Sequence, residues 1–272
     1  MQSVIQGPYF LMDRTLKSIN FFNSEIDEDT VCAYEVFRIE NGKPIFLDQH
    51  LHRLQKTLAI ADIKPMVKVT QLHAKLKLLF SANTINDGNV RLDYRQLKSG
   101  EQQFFAYFVE SNYPNANLIK EGIICSLQHS VRHHPAAKIH NPEVRDKANA
   151  IIEQRHVYET LLVNADNCLT EGSRSNLFFI RQNDLITADD SVVLGGIMRQ
   201  QIINIAQTLG VNIEYRALCL NEISEMDGAF ISGTSPRMLP IKQIGDVCYP
   251  VLNPLFSKIY AELSIRIKEQ VK

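Results

Sequence analysis

This chain has no excess of one charge, no long apolar run and no cysteine pattern, and each absence removes a class of function. Lysine and arginine together number 29 and aspartate and glutamate 30, for a formal net charge of −1. A polyanion-binding surface needs a basic surplus, so nucleic acid is not expected as a partner. No apolar run approaches the ~20 residues that span a bilayer. Met1 to Arg14 lacks a basic segment followed by an apolar one, so neither a signal peptide nor a membrane partner is expected. The five cysteines, Cys32, Cys125, Cys168, Cys219 and Cys248, are odd in number and scattered, without C-x-x-C. They read as reduced core thiols of a cytoplasmic protein. Histidines cluster at His133, His134 and His140, and at His50 and His52, but no H-E-x-x-H or Cys/His zinc spacing occurs. No metal is expected.

What is there is ordinary globular chain: 272 residues, 45% hydrophobic, enough for one large core or two smaller ones. Thr30 to Ile39 reads as a strand, Asn41-Gly42 as a hairpin turn, and Pro44 to Leu47 as the returning strand. Asp48 can cap a helix burying Leu51, Leu54 and Leu58, and Thr70 a second burying Leu72, Leu76, Leu79 and Phe80. Val90 to Tyr94 and Phe104 to Val109 form another strand pair. Ser111 to Asn115 is turn-rich and marks a boundary between a small domain, 1–113, and a larger one, 114–272.

Beyond it, Gly122 to Val131 reads as a strand and His133 to Asn141 as a loop. Asn141-Pro142 opens a helix with Asn as cap and Pro at the first position. Strands flank a turn near Glu171. A helix from about Ile197 to Leu209 stops at Gly210. Val211 to Ala217 is a strand, Asn221 to Met226 a short helix, Ala229 to Ser232 a strand, and Asn253-Pro254 opens a terminal amphipathic helix. Helices and strands mix without strict alternation, which gives α+β in two domains.

The stretch with most chemical content is Thr170-Glu171-Gly172-Ser173-Arg174-Ser175-Asn176, between apolar strands. A carboxylate there either meets water at a surface hairpin or faces a cation. Upstream, Lys138 sits in Pro135-Ala136-Ala137-Lys138-Ile139-His140-Asn141, among small and apolar residues. A partly desolvated lysine has the lowered pKa that imine chemistry requires. Lys147, in Arg145-Asp146-Lys147, lies mid-helix beside other charges and points to water. Leu194-Gly195-Gly196-Ile197-Met198-Arg199 leads into a helix whose first amides and dipole suit an anion. Ser232-Gly233-Thr234-Ser235-Pro236 is a turn at a strand end, and Arg53 lies in His50-Leu51-His52-Arg53-Leu54.

In this order the pieces resemble the signature of the class IV (fold type IV) pyridoxal-phosphate enzymes. That family includes branched-chain and D-amino acid aminotransferases and aminodeoxychorismate lyase. The matches are H-L-x-R-L, K-x-x-N, T-E-G-S-x-S-N, G-I-x-R and G-T-x-x-x-x-x-P, spread over residues 50–240. The resemblance implies a two-domain fold like that of D-amino acid aminotransferase and pyridoxal 5′-phosphate as cofactor. It implies Lys138 as the cofactor-binding and catalytic lysine, and Glu171 on the pyridine nitrogen. The amides of Ile197 and Met198, the Thr234 loop and Arg53 would hold the phosphate. Met198 stands where the family has Thr, so the amide is kept and a hydroxyl lost. A homodimer acting on a small-molecule amino substrate is implied as well.

The chain departs from the family at its N-terminal end. Asp27 to Ala33 contains no glycine where a glycine-rich stretch is usual, although Tyr34-Glu35-Val36 still resembles the F-E-x step that follows. Arg91 falls where several members place a carboxylate-binding Arg, and it reads equally as a surface strand residue. Pro142 replaces a Tyr found in branched-chain aminotransferases, which argues against that branch. Three functions remain: 4-amino-4-deoxychorismate lyase, a step of folate biosynthesis that releases pyruvate and 4-aminobenzoate; a D-amino or small amino acid aminotransferase; and a ligand-binding protein without turnover.

Overall fold

The computed structural model describes residues 5–23, 25–27 and 29–272, so Glu28 of the glycine-free stretch lies outside the described residues. The chain divides into two compact units. The first holds Met1–Asn112, Ala137–His140 and Ile267–Lys272, and the second Tyr113–Ala136 and Asn141–Arg266.

In the first unit β1 (Ile5–Met12), β2 (Thr15–Ser18), β3 (Val31–Glu40) and β4 (Lys43–Pro44) precede α1 (Leu47–Ile60) and α2 (Leu72–Asn83). β5 (Gly88–Gln96) and β6 (Gln102–Val109) follow. Among the described residues these strands make one sheet in the order β2-β1-β6-β5-β3-β4. Strand periodicity explains its two faces. Ala33, Phe37 and Ile39, with Val90, Leu92, Tyr94, Phe104, Ala106 and Phe108, share a buried core with Leu51, Leu54 and Leu58 of α1 and Leu72, Leu76 and Leu79 of α2. The alternate residues point to the other face, where Phe10, Phe105, Tyr107 and Val109 form a smaller core.

Two helix starts differ from the sequence reading. α1 is entered through Phe46 in the left-handed region (φ 52°), and Asp48 sits inside the first turn without capping it; its carboxylate meets His73 Nε2 at 3.0 Å. The early bend cuts the returning strand to Lys43–Pro44. Thr70 lies within a 3₁₀ turn, Val69–Gln71, that runs into α2.

The second unit contains α3 (Ala116–Glu121), β7 (Ile123–His129), α4 (Pro142–Arg155), β8 (Glu159–Val163), β9 (Cys168–Gly172), β10 (Asn176–Arg181) and β11 (Asp184–Thr187). α5 (Ile197–Thr208), β12 (Ile213–Tyr215), β13 (Leu218–Cys219), β14 (Gly228–Gly233), β15 (Arg237–Ile244) and β16 (Val247–Cys248) follow, with α6 (Pro254–Gln270), which belongs to this unit as far as Arg266. Its sheet runs β12-β11-β10-β14-β15-β7-β8-β9-β13 and closes through an extra β9–β10 pairing. Inside lie Leu161, Leu169, Leu177, Phe179, Ile231, Leu239 and Ile241. On the opposite face Phe178 stacks on Phe230 (centroids 4.9 Å apart) and Phe256 of α6 packs edge-on against Phe230. Asn253 caps α6 by accepting from the amides of Leu255 and Phe256. Asn141 caps α4 in the same way, with Pro142 at the first position.

The cysteine expectation needs correction. Cys168 and Cys219 form a disulfide, because the antiparallel pairing of β9 and β13 sets them opposite each other. They are 51 residues apart in sequence, so no local spacing announces the pair. Cys32 and Cys125 are free and buried, and Cys248 is free and exposed. Among the described residues no helix is long and apolar enough to cross a membrane.

Candidate active site

In the second unit the polar centre is Glu171, 2% exposed. It lies in β9, not in the turn beyond it, and pairs across the sheet with Asn176. Burial excludes the surface-hairpin reading, since a carboxylate taken out of water needs donors. Its Oε2 accepts from the Leu194 amide at 3.2 Å and from Asn176 Nδ2 at 3.5 Å. Its Oε1 lies 3.0 Å from Arg132 Nε, out of line for a hydrogen bond, so that contact is Coulombic. Arg132 also donates from Nη2 to the Ser173 carbonyl.

The turn after Glu171 is organised by a second buried carboxylate, Glu159. It accepts from Ser173 Oγ (2.6 Å), the Thr160 amide (2.9 Å), Ser175 Oγ (3.0 Å) and the Arg174 amide (3.3 Å). All four donors are neutral, and three come from the turn itself, which pins Ser173–Ser175 to β8 and sets the direction in which β9 presents Glu171. A Cβ on Gly172 would run into Ser175 Oγ, so the turn can close only over glycine.

Asn176 ties this centre to the start of α5. Its Nδ2 donates to the Leu194 carbonyl at 2.8 Å, and a Cβ on Gly196 would collide with its Oδ1. Gly196 is the N-cap of α5 and supplies no capping side chain, so the first amides, at Ile197 and Met198, have no side-chain acceptor from the cap. At Gly195 a Cβ would meet nothing within 4 Å. Arg199, fully buried, ties α5 to the Ala188 carbonyl and to Asp190. Asn176 is also the register partner of Ser232 in β14, two residues before Thr234. Amide donors at an open helix start, a hydroxyl-bearing loop beyond β14 and a fixed carboxylate fit a cofactor with a phosphate at one end and a basic ring nitrogen at the other.

The first unit holds Arg53, Lys138 and Arg91. Arg53 is no solvated helix residue: it forks onto Glu35 of β3, Nε to Oε2 at 2.9 Å and Nη2 to Oε1 at 2.6 Å. His50, one turn earlier on α1, places Nδ1 3.0 Å from Glu35 Oε1. Burial alone would push the Glu35 carboxyl up, but Arg53 and His50 outweigh it and hold it far below the ordinary carboxylate range. Burial pushes the His50 imidazole down, against the opposing pull of the Glu35 carboxylate.

Because the folded pKa of Glu35 is depressed, its stabilisation is complete above the ordinary value of 4.5 and is lost only as pH falls through the folded value. Glu35→Gln should cost about 3–5 kcal/mol by leaving Arg53 buried against a neutral partner. Urea unfolding should show that difference as constant above about pH 5 and shrinking in stronger acid.

Lys138 is held by its main chain. Its amide donates to Thr57 Oγ1 of α1 (3.1 Å), its carbonyl accepts from the Tyr34 amide (2.9 Å), and Ile139 bridges Ala33. The Ala137–His140 segment thus adds a short extended piece to β3. Lys138 Nζ lies 5.1 Å from the centroid of the Tyr34 ring, and Arg91 Cζ lies 4.5 Å from the same centroid. Lys147 is exposed, its Nζ on the His129 carbonyl. Arg91 is half-buried and paired with Asp93, so it is not a free surface arginine.

Sequence reading missed Glu159, Arg132 and Asp93. Glu159 carried a signal, an acid within an apolar strand. Arg132 carried none, standing beside histidines that drew more attention. Among the described residues no group of three or more His, Cys, Asp or Glu side chains could hold a metal ion.

A family model for amino-transferase class IV matches residues 32–244. D-alanine aminotransferase of Bacillus licheniformis is 25% identical over 252 residues, covering 82% of this chain and 87% of that protein. Aminodeoxychorismate lyase of Bacillus subtilis is 26% identical over 236 residues, covering 80% and 79%. The solved branched-chain amino acid aminotransferase of Escherichia coli shares the fold, with a TM-score of 0.85 at 15% identity over 98% of this chain and 97% of that one. Fold and family match together define a pyridoxal-phosphate-dependent enzyme. The chain belongs to the class IV aminotransferase family.

Proposed function

We propose that this enzyme is a 4-amino-4-deoxychorismate lyase, releasing pyruvate and leaving 4-aminobenzoate. The supporting observation is the charge of the face that carries Lys138. Arg91 and Arg95 there share one carboxylate, Asp93, which leaves a surplus positive charge beside the lysine. Aminodeoxychorismate bears two carboxylates, and the surplus suits such a substrate better than a simple amino acid. Pro142 at the first position of α4 is compatible with this branch of the family. The similarity to D-alanine aminotransferase over most of the chain favours a second reading, amino transfer from a D-amino acid to a keto acid.

The same residues serve either reaction. Lys138 attaches the cofactor and moves the proton at the substrate carbon. Glu171, oriented by Asn176 and the Leu194 amide, keeps the ring nitrogen protonated. The amides of Ile197 and Met198, with Thr234 and Arg53, bind the phosphate dianion, and Arg91 receives a substrate carboxylate. Pyridoxal phosphate, when bound, supplies an electron sink for the charge released at the substrate carbon. A cytoplasmic homodimer completes the proposal.

Purified enzyme is expected to release pyruvate from aminodeoxychorismate without any keto acid present. No pyruvate, together with keto-acid-dependent turnover of D-alanine, would replace the first reading with the second.

A further inference from the structure

The face of the first sheet opposite α1 and α2 carries a polar cluster that the chemistry above uses only at Arg91. β3 and β5 set Tyr34 opposite Asp93, and β5 and β6 set Arg91 opposite Tyr107. Asp93 has no solvent exposure and takes three donors. Arg91 Nε lies 2.7 Å from Oδ1, the Tyr107 hydroxyl donates to Oδ2 at 2.8 Å, and Arg95 Nη2 lies 3.4 Å from Oδ2. Burial would push the Asp93 carboxyl up, but the two guanidiniums hold it below its ordinary value.

The two arginines are not equivalent. Arg95 is 3% exposed, spends Nη1 on the Glu25 carbonyl at 2.9 Å, and lies over the Phe105 ring. It is a structural cation. Arg91 keeps 14% side-chain exposure, is anchored through Nε, and lies over Tyr34, the ring that Lys138 also approaches. A guanidinium tied at Nε and stacked on a ring has lost rotation about its last bonds, so its two terminal nitrogens present a fixed edge. A free arginine would have to order itself for each substrate, at an entropic cost.

We propose that Asp93, braced by the Tyr107 hydroxyl, is the positioning residue that fixes Arg91 as the receptor for a substrate carboxylate, and that this carboxylate neutralises the cluster's surplus positive charge. The inference rests on the reading of Arg91 given above. Asp93 touches no reacting atom; it acts through Arg91. The expected signature is a change in carboxylate binding with the chemical step intact.

The test uses cofactor-loaded enzyme, with KM and kcat for whichever amine substrate turns over, and the inhibition constant of succinate, a carboxylate without an amine. For Asp93→Asn, KM and the succinate constant should both rise about 100-fold while kcat changes by less than about threefold. For Tyr107→Phe, which removes one hydroxyl from the carboxylate, both should rise about fivefold. A fall in kcat or in Tm with KM and the succinate constant unmoved would make Asp93 a structural residue only and overturn the inference. If Asp93→Asn does not fold, Tyr107→Phe decides alone, and an unmoved KM overturns it. Wild-type enzyme that binds cofactor and turns over neither substrate would sink the functional reading itself, and this inference with it.

Discussion

Lys138→Ala should lose the yellow absorbance of the lysine-bound cofactor, which borohydride should bleach in the wild type, and at least about four orders of magnitude in turnover. The size follows from the two roles proposed for one side chain: covalent attachment of the cofactor and proton movement at the substrate carbon. The variant should still fold. The segment is fixed by main-chain contacts, from the Lys138 amide to Thr57 and from the Tyr34 amide to the Lys138 carbonyl, and truncation leaves both in place. Its thermal midpoint should therefore stay near that of the wild type. Lys147→Ala is the matched control: it removes an exposed ammonium resting on the His129 carbonyl and should keep both absorbance and activity. Absorbance that survives in Lys138→Ala and disappears in Lys147→Ala would reverse the assignment.

Glu171→Ala should keep the lysine-bound absorbance and lose about 10²–10³ in turnover. Attachment at Lys138 does not need the carboxylate, whereas stabilising the electron pair released at the substrate carbon does. Glu171→Gln separates charge from shape. An amide can keep an oxygen toward the Leu194 amide, which donates at 3.2 Å, but it no longer offsets Arg132, 3.0 Å from Oε1. Both variants should therefore be slow, and Glu171→Gln the better folded. Full activity in either would mean that the charge at this position takes no part in the reaction.

The parts of this enzyme that were legible from residues alone are those whose partners lie close by in the chain. Asn141 and Pro142 announce α4, and Asn253 announces α6, because a cap needs only the next three amides. The apolar periodicity of α1 and α2, and the turn at Asn41-Gly42 ahead of α1, are local in the same sense. The same logic exposed its limits at Asp48 and Thr70. Each has a capping side chain, yet the chain path at Phe46 starts α1 ahead of Asp48, and the 3₁₀ turn at Val69–Gln71 starts α2 after Thr70. β15, which pairs in parallel with β7 from a distant part of the chain, gave no such local signal.

The site divides along the same line. Sequence alone determined which residue types were present and in what order: a lysine among small residues, a carboxylate between apolar strands, a glycine-led helix start, a Gly-Thr turn. Those motifs are contiguous, so each can be read without knowing its spatial neighbours. Tertiary structure alone decided what each charge faces. Only the β3–α1 packing turns Arg53 and His50 onto Glu35, and only the register of β5 against β6 brings Tyr107 to Asp93. Only closure of the second sheet brings Arg132 and Asn176 to Glu171, and only the β9–β13 pairing joins Cys168 to Cys219. A buried charge or thiol takes its partner from whichever strand or helix the fold lays beside it, and that neighbour is set by long-range pairing rather than by spacing along the chain.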